Sequence, residues 1–172
     1  PMSPLLAMFL STPDSTPVAH TDVSQLADTF ARGNTPVLID VRTPEEFAHG
    51  HLIGSVNVGL DGRYAEFAGS VVPHDVDIVL LVEPGFELEA RNRLGRIGFD
   101  RVVGYLSNPL AVMAEHPGRT QRASRLTVPE FDARRAEVDD LQIVDIRNPG
   151  EIALGAVEGA VPIPVGQLPS RF

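Results

Sequence analysis

One sequence pattern occurs twice in this chain, and this repeat constrains the fold more than any other feature. A stretch of 19 residues that begins at Asp40 aligns without a gap with a stretch that begins at Asp145, at a spacing of 105 residues. A solenoid unit spans about 20–50 residues, so the longer spacing indicates a duplicated domain. The identical pairs include Asp40/Asp145, Arg42/Arg147, Pro44/Pro149, Gly50/Gly155, Gly54/Gly159 and Val56/Val161.

The register of the repeat divides the chain into four segments. We expect a leader or linker at residues 1–17, a complete domain at 18–118, a linker at 119–123 and a partial second domain at 124–172. Phe172 aligns with position 67 of the first copy, which lies inside a predicted helix. The second copy is therefore expected to lack counterparts of three later elements of the first domain: the strands at 78–82 and 102–106 and the helix between them.

The apolar pattern predicts the fold class. Residues 37–41, which are apolar apart from Asp40, and the continuous apolar run at 78–82 are typical of strands buried on both faces in a parallel sheet. Helical periodicity predicts a helix at 22–32, with Leu26 and Phe30 facing inward, and another at 86–97, with Leu88, Leu94 and Ile97 facing inward. Short strands are also expected at 18–20 and 124–128. We predict an α/β fold with a mostly parallel central sheet, helices on both of its faces, and an incomplete second copy.

Composition limits the functions and partners to be considered. The chain has 172 residues and a formal net charge of −9, and its 14 basic residues are scattered rather than grouped in a stripe. Nucleic acid and membrane are therefore not expected as partners. No apolar run approaches the roughly 18 residues of a membrane span. We expect no cofactor and, with no targeting signal visible, a cytoplasmic location. The absence of cysteine removes thiol catalysis and thiolate metal sites.

The residue pattern of the first copy resembles that of a known protein family. Residues 40–58 read Asp-Val-Arg-x-Pro-x-Glu-Phe-x-x-Gly-His-Leu-x-Gly-Ser-x-Asn-Val, which resembles the signature of rhodanese-like domains. As a family, these domains transfer sulfane sulfur on a cysteine. The resemblance implies an active loop of the form Cys-x-x-Gly-x-Arg between the central strand and the next helix. In such a loop, backbone N–H groups at the helix N-terminus stabilise a thiolate or an oxyanion.

The equivalent loop here does not carry the residues that this chemistry needs. Gly85 matches the loop glycine, Val82 stands at the cysteine position and Glu87 at the arginine position. Pro84 removes one backbone donor. Acidic residues stand where an anion cradle needs positive charge, and no Ser or Thr is present to replace the thiol. We therefore expect no catalytic residue in this vestigial loop, which comprises Val82, Glu83, Pro84, Gly85, Phe86 and Glu87.

The other motif residues are expected to be structural. Asp40 and Arg42 read as a strand-end acid and an arginine that pair to hold the loops, and Asp145 and Arg147 would repeat this pair. His49 and His51 lack a carboxylate at ligand spacing, so no metal site is predicted. The complete set of expected structural residues is Asp40, Arg42, His51, Gly54, Asp145, Arg147 and Gly159.

A finer resemblance concerns residues 59–69 and 94–106. These stretches look like rhodanese-like domains that follow a metallo-β-lactamase-fold domain in bacterial proteins similar to persulfide dioxygenases and glyoxalase II. Together with the loop, the resemblance indicates a non-catalytic module with a binding, docking or regulatory role, and it implies such a metallohydrolase domain as a partner. Because the incomplete second copy would expose an apolar edge, we expect dimerisation through 124–172. Two alternatives stay open: a sulfurtransferase whose cysteine lies outside this chain, and a sensor of small anions or persulfides.

Overall fold

The computed structural model describes residues 15–171, and the rest of the predicted leader and Phe172 lie outside this range. Its elements fall in an alternating order along the chain. They are α1 (Val23–Ala31), β1 (Val37–Asp40), α2 (Pro44–His49), β2 (His51–Leu52), β3 (Ser55–Asn57), α3 (Tyr64–Val71), β4 (Ile78–Val82), α4 (Glu87–Gly95), β5 (Val102–Ser107), α5 (Pro109–Glu115), β6 (Thr120–Gln121), α6 (Val128–Glu137), β7 (Val144–Asp145), α7 (Pro149–Ile152) and β8 (Val161–Pro162), with 3₁₀ turns at Pro117–Arg119 and Val165–Ser170.

The central sheet has four parallel strands in the order β3-β1-β4-β5. Strand β1 pairs with β3 on one side and with β4 on the other, so that Leu38 lies opposite Ser55 and opposite Val79. Strand β4 also pairs with β5, and a shift in register follows Ile78. The α/β fold with a mostly parallel sheet is therefore confirmed.

Helices cover both faces of this sheet because the side chains of β4 alternate between two apolar clusters. Ile78, Leu80 and Val82 point to a cluster that contains residues of α3 and α4. Val79 and Leu81 point to a second cluster that contains residues of α1 and α5. All five β4 residues are buried. The apolar run at residues 78–82, which predicted a strand buried on both faces, forms such a strand.

Some local expectations were wrong. Phe30 and Ile97 are exposed, at 38% and 36%, although helical spacing placed them in the core. Residues 18–20 contribute only an isolated bridge between His20 and Tyr105. No strand forms at 124–128, because Thr127 accepts the backbone N–H of Glu130 in a capping box and α6 begins at Val128. Here the helix-start signal outweighs the local apolar pattern.

The chain beyond the central sheet makes little core of its own. Strand β6, within the expected linker, pairs antiparallel with β2. Strands β7 and β8 form a separate two-stranded parallel sheet. Among the described residues from 124 onward, Ile163 is the one buried apolar side chain. In the described part of the chain, no helix is both long enough and apolar enough to cross a bilayer.

Candidate functional site

The loop between β4 and α4 is a tight turn. The backbone N–H of Phe86 donates to the carbonyl of Glu83 at 3.3 Å, and Gly85 has a φ of +94°. Proline at the second position and a positive φ at the third are the features of a type II β-turn. Helix α4 then begins at Glu87. The vestigial loop is thus a short connection between strand and helix.

A carboxylate of the protein itself accepts a hydrogen bond from a backbone N–H group of this loop. The Glu87 side chain accepts the backbone N–H of Gly85 at 2.8 Å. Pro84 has no N–H to offer. An anion cradle needs several free N–H groups that converge on one point. One such group is here bonded to a carboxylate of the protein and another is missing, so the turn is poorly suited to hold an external anion.

A cleft lies beside this turn, at the carboxyl ends of β1 and β4. Its volume is about 570 Å³. This is the edge of an α/β sheet where ligands usually bind. The walls are largely apolar, and the rings of Phe67 and Phe86 are about half exposed, at 47% and 50%. The lining residues are Val41, Arg42, Thr43, Pro44, Glu46, Asn57, Val58, Gly59, Leu60, Asp61, Phe67, Val82, Glu83 and Phe86.

The floor of the cleft is held by a buried ion pair. Arg42 Nη2 lies 2.5 Å from Asp40 Oδ2, and both side chains are almost completely buried. The Asp40 carboxylate also accepts the backbone N–H of Arg42 at 3.1 Å, and Arg42 Nη2 donates to the carbonyl of Gly50 at 2.9 Å. The guanidinium therefore joins the end of β1 to the end of α2. This geometry is the pairing that the sequence predicted. Arg42 Nη1, by contrast, is buried and has no hydrogen-bond partner among the described residues.

Two residues that the sequence analysis did not select hold the loops around the cleft. Asn57 Nδ2 donates to the carbonyls of Asp40 and Arg42, at 3.0 and 2.9 Å. Arg93 of α4 donates to the carbonyls of Leu60 and Gly62, which fixes the loop after β3 against α4. Asn57 stands in the family signature of the first copy, whereas the contacts of Arg93 span about 30 residues and have no local sequence signal.

The second copy repeats this ion pair in an exposed setting. Arg147 Nη2 lies 2.6 Å from Asp145 Oδ2 and donates to the carbonyl of Gly155 at 2.9 Å. Hydrogen bonds from Arg147 hold the pKa of the Asp145 carboxyl below its usual value. Gly54 and Gly159 also match, with φ values of +84° and +79°. The expected motif residues therefore form the same local loop twice.

The two histidines contact protein groups. His51 is buried and stacks on Phe47 with ring centroids 3.8 Å apart. Its Nδ1 lies 2.8 Å from the carbonyl of Phe47, and its Nε2 lies 2.9 Å from the amide of Gln121. His49 Nδ1 lies 2.7 Å from the carbonyl of Glu45. Over residues 15–171 no three His, Asp or Glu side chains are grouped as metal ligands. His51 therefore links α2 to β6.

Solved structures of low sequence identity share this fold. The Alr3790 protein from Anabaena sp. aligns with a TM-score of 0.52 and 21% identity, over 68% of this chain and 88% of that one. The BH2092 protein from Bacillus halodurans aligns with a TM-score of 0.50 and 14% identity, over 67% and 89%. EanB, solved as its C412S variant with hercynine, aligns with a TM-score of 0.52 and 16% identity, over 89% of this chain and 42% of that one.

Family membership follows from a sequence match that covers the sheet and the cleft. No curated protein sequence matches the chain. The rhodanese-like domain family, however, matches residues 22–108, which is half of the chain. This range begins at the cap of α1 and ends just after β5, so it contains all four strands of the central sheet. The chain therefore belongs to the rhodanese-like domain family, and residues 22–108 form its rhodanese-like domain.

Proposed function

We propose that this chain is a catalytically inactive rhodanese-like module with a binding, docking or regulatory role. The observation that carries the proposal is the loop between β4 and α4. Val82 stands at the position of the nucleophile, and the chain contains no cysteine. A persulfide intermediate requires a thiolate, and the valine side chain has no atom that can form one. The fold of a sulfur-transfer domain is thus retained without its reacting atom.

The remainder of the loop supports the same proposal. The Glu87 carboxylate bonds the Gly85 N–H, and Pro84 contributes no donor. Arg42, the arginine that lines the cleft, is paired with Asp40. Positive charge and free N–H groups are what a thiosulfate or persulfide anion would need. Because the loop offers little of either, the alternative of a small-anion sensor has no support from the site geometry.

A sulfurtransferase assay tests the proposal. The full chain should release no thiocyanate from thiosulfate and cyanide above a buffer blank. A rhodanese-like domain with a loop cysteine serves as positive control under the same conditions. Sulfurtransferase turnover that persists after repurification and metal chelation would refute the proposal that the chain is catalytically inactive. Finding a downstream Cys-x-x-Gly loop in the same open reading frame would favour the alternative, in which the catalytic cysteine belongs to another segment.

We further propose that the module is part of, or works beside, a metallo-β-lactamase-fold hydrolase of sulfur metabolism. The proposal is supported by the sequence of residues 59–69 and 94–106, which is similar to the sequences of domains found in such proteins. The proposal predicts a His-x-His-x-Asp-His motif upstream in the same reading frame or in an adjacent gene. Co-purification of this chain with that hydrolase would support the proposal, and a genomic neighbourhood without any such enzyme would refute it.

We also propose that residues 124–172 form a two-fold dimer with a second copy of the chain. In the described residues, β7 pairs with β8 along one edge, whereas the equivalent strand β1 is paired along both. An unpaired edge with exposed apolar side chains favours association with another chain. The exposed apolar residues of β7, β8 and the segment between them include Val144, Ile146, Leu154, Val157 and Val161.

Light scattering across a concentration series tests the dimer. Leu154 is 91% exposed, so Leu154→Glu should reduce association without disturbing a core. Leu110 of α5 is 63% exposed and lies in the first domain, so Leu110→Glu is the matched control and should leave the dimer intact. A wild-type chain that is monomeric at micromolar concentration would refute the proposal. Equal loss of dimer in both variants would place the interface elsewhere.

A further inference from the structure

The cleft beside the vestigial loop has the size of a ligand site and apolar walls. Its volume of about 570 Å³ falls within the range of small-molecule pockets, roughly 300–1,000 Å³. Val41, Val58 and Leu60 contribute aliphatic wall, and Phe67 and Phe86 contribute two half-exposed rings. Two partly exposed aromatic side chains at one cleft are an apolar surface that a bound organic group would cover.

Acidic side chains outnumber basic ones in the lining of this cleft. Four charged side chains line it: Arg42, Glu46, Asp61 and Glu83. Arg42 is paired with Asp40, and Glu46 caps α2 by accepting from Thr43. Hydrogen bonds from Thr43 hold the pKa of Glu46 below its usual value. Within residues 15–171, neither the Asp61 nor the Glu83 carboxylate makes a hydrogen bond or an ion pair.

Two arginines near the cleft are bonded to other groups and do not pair with these two carboxylates. Arg63 lies over the ring of Phe67 at 5.1 Å and is paired with Glu66, so that pair is neutral as a unit. Arg93 is bonded to the carbonyls of Leu60 and Gly62, and it also lies 3.6 Å from Glu89. The cleft therefore presents apolar walls and two carboxylates, one from the loop after β3 and one from the loop after β4.

We infer that this cleft binds a small organic cation, an amine or quaternary ammonium carried on an apolar or aromatic body. The apolar body would cover Phe67, Phe86 and the aliphatic wall, and the cationic end would lie between Asp61 and Glu83. A cation beside the aromatic rings also gains from their negative faces. The inference rests on the proposed non-catalytic function, because it reverses the charge that a sulfur-transferring site must bind.

A matched ligand series tests the inference on the full chain. The probes are 4-phenylbutylamine, 4-phenylbutanol and 4-phenylbutanoate, which share one body and differ in charge. They are titrated at pH 7 and low ionic strength into protein labelled with nitrogen-15. The amine should bind about fivefold more tightly than the alcohol, from Coulomb attraction at the surface of the cleft. The carboxylate should bind most weakly. The shifted resonances should lie around Gly59, Asp61 and Gly85.

Variants separate the charge contribution from the apolar one. The double change Asp61→Asn and Glu83→Gln should bring the affinity of the amine down to that of the alcohol. Asp132→Asn removes an exposed charge on α6, away from the cleft, and is the control that should keep the preference. Phe86→Ala should weaken all three ligands by a similar factor, since it removes shared apolar contact.

The outcomes that overturn the inference are distinct from those that overturn the inactive function. No saturable shift with any probe at millimolar concentration, equal binding of all three probes, or preference for the carboxylate would each refute the cation site. So would shifts centred outside the cleft, or a preference unchanged in the double variant. Thiocyanate formation would instead refute the inactive function, and it is measured in a separate assay without these probes.

Discussion

The duplicated ion pair allows one prediction with an internal control. Arg42 and Asp40 form a buried pair, with 2% and 0% of their side chains exposed. Arg147 and Asp145 have nearly the same geometry, but the Arg147 side chain is 42% exposed. The same substitution at the two arginines therefore changes burial while local chemistry stays nearly constant. We select Arg42→Met and Arg147→Met, because methionine keeps most of the volume of the side chain.

The expected magnitude follows from what Arg42 leaves behind. Its removal leaves the Asp40 carboxylate buried without a cation, a loss that costs about 3–5 kcal/mol in proteins. The carbonyl of Gly50 also loses its donor. A change of 1 kcal/mol shifts the melting temperature by about 4–8 °C in a domain of 60–100 residues, the size class of residues 22–108. Arg42→Met should therefore lower the melting temperature by at least roughly 10 °C. Arg147→Met should cost clearly less, because the Arg147 side chain is 42% exposed and its removal lets water reach the Asp145 carboxylate, which is 8% exposed in the pair.

Calorimetry and urea unfolding at pH 7 would measure both variants. Protein concentration is kept constant, since association would shift the apparent stability. Equal shifts in the two variants would contradict the reasoning, because burial would then have no effect on the energy of the pair. A wild-type-like Arg42→Met variant would contradict it too.

Three further predictions concern the loop and the helix caps. Val82→Cys should give a thiol with a pKa near or above the ordinary value of about 8.5, because position 82 is buried and acidic residues flank the loop, and the pH profile of iodoacetamide labelling measures it; a strongly lowered pKa would contradict the electrostatics of the loop. Gly85→Ala should destabilise the chain by about 1–2 kcal/mol because φ is +94°, whereas Gly118→Ala, in open space, should be nearly neutral by urea unfolding. Glu46 has a lowered pKa through Thr43, so the stability it contributes is present above pH 4.5 and lost as pH falls below that value; Glu46→Gln should flatten acid unfolding curves in that window.

Much of the fold could be inferred from local patterns. The apolar runs at β1 and β4 predicted two strands buried on both faces, because a short apolar run bounded by polar or turn residues is typical of a strand in a parallel sheet. The helix predicted at 22–32 likewise matches α1, whose cap Asp22 accepts the backbone N–H of Gln25. Inward faces were less reliable, as exposed Phe30 demonstrates, since a helical pattern does not specify how far the sheet extends beneath it.

The candidate site also combines features that the sequence predicted with features that only the tertiary structure shows. The sequence alone determined that Val82 cannot act as a nucleophile and that Asp40 pairs with Arg42, because side-chain chemistry and a two-residue spacing leave little freedom. Only the tertiary structure decided that Asp61 and Glu83 line one cleft with Phe67 and Phe86. These residues come from three separate connections and elements. Their convergence depends on parallel strand order and on crossover geometry, which bring distant segments to one edge of the sheet.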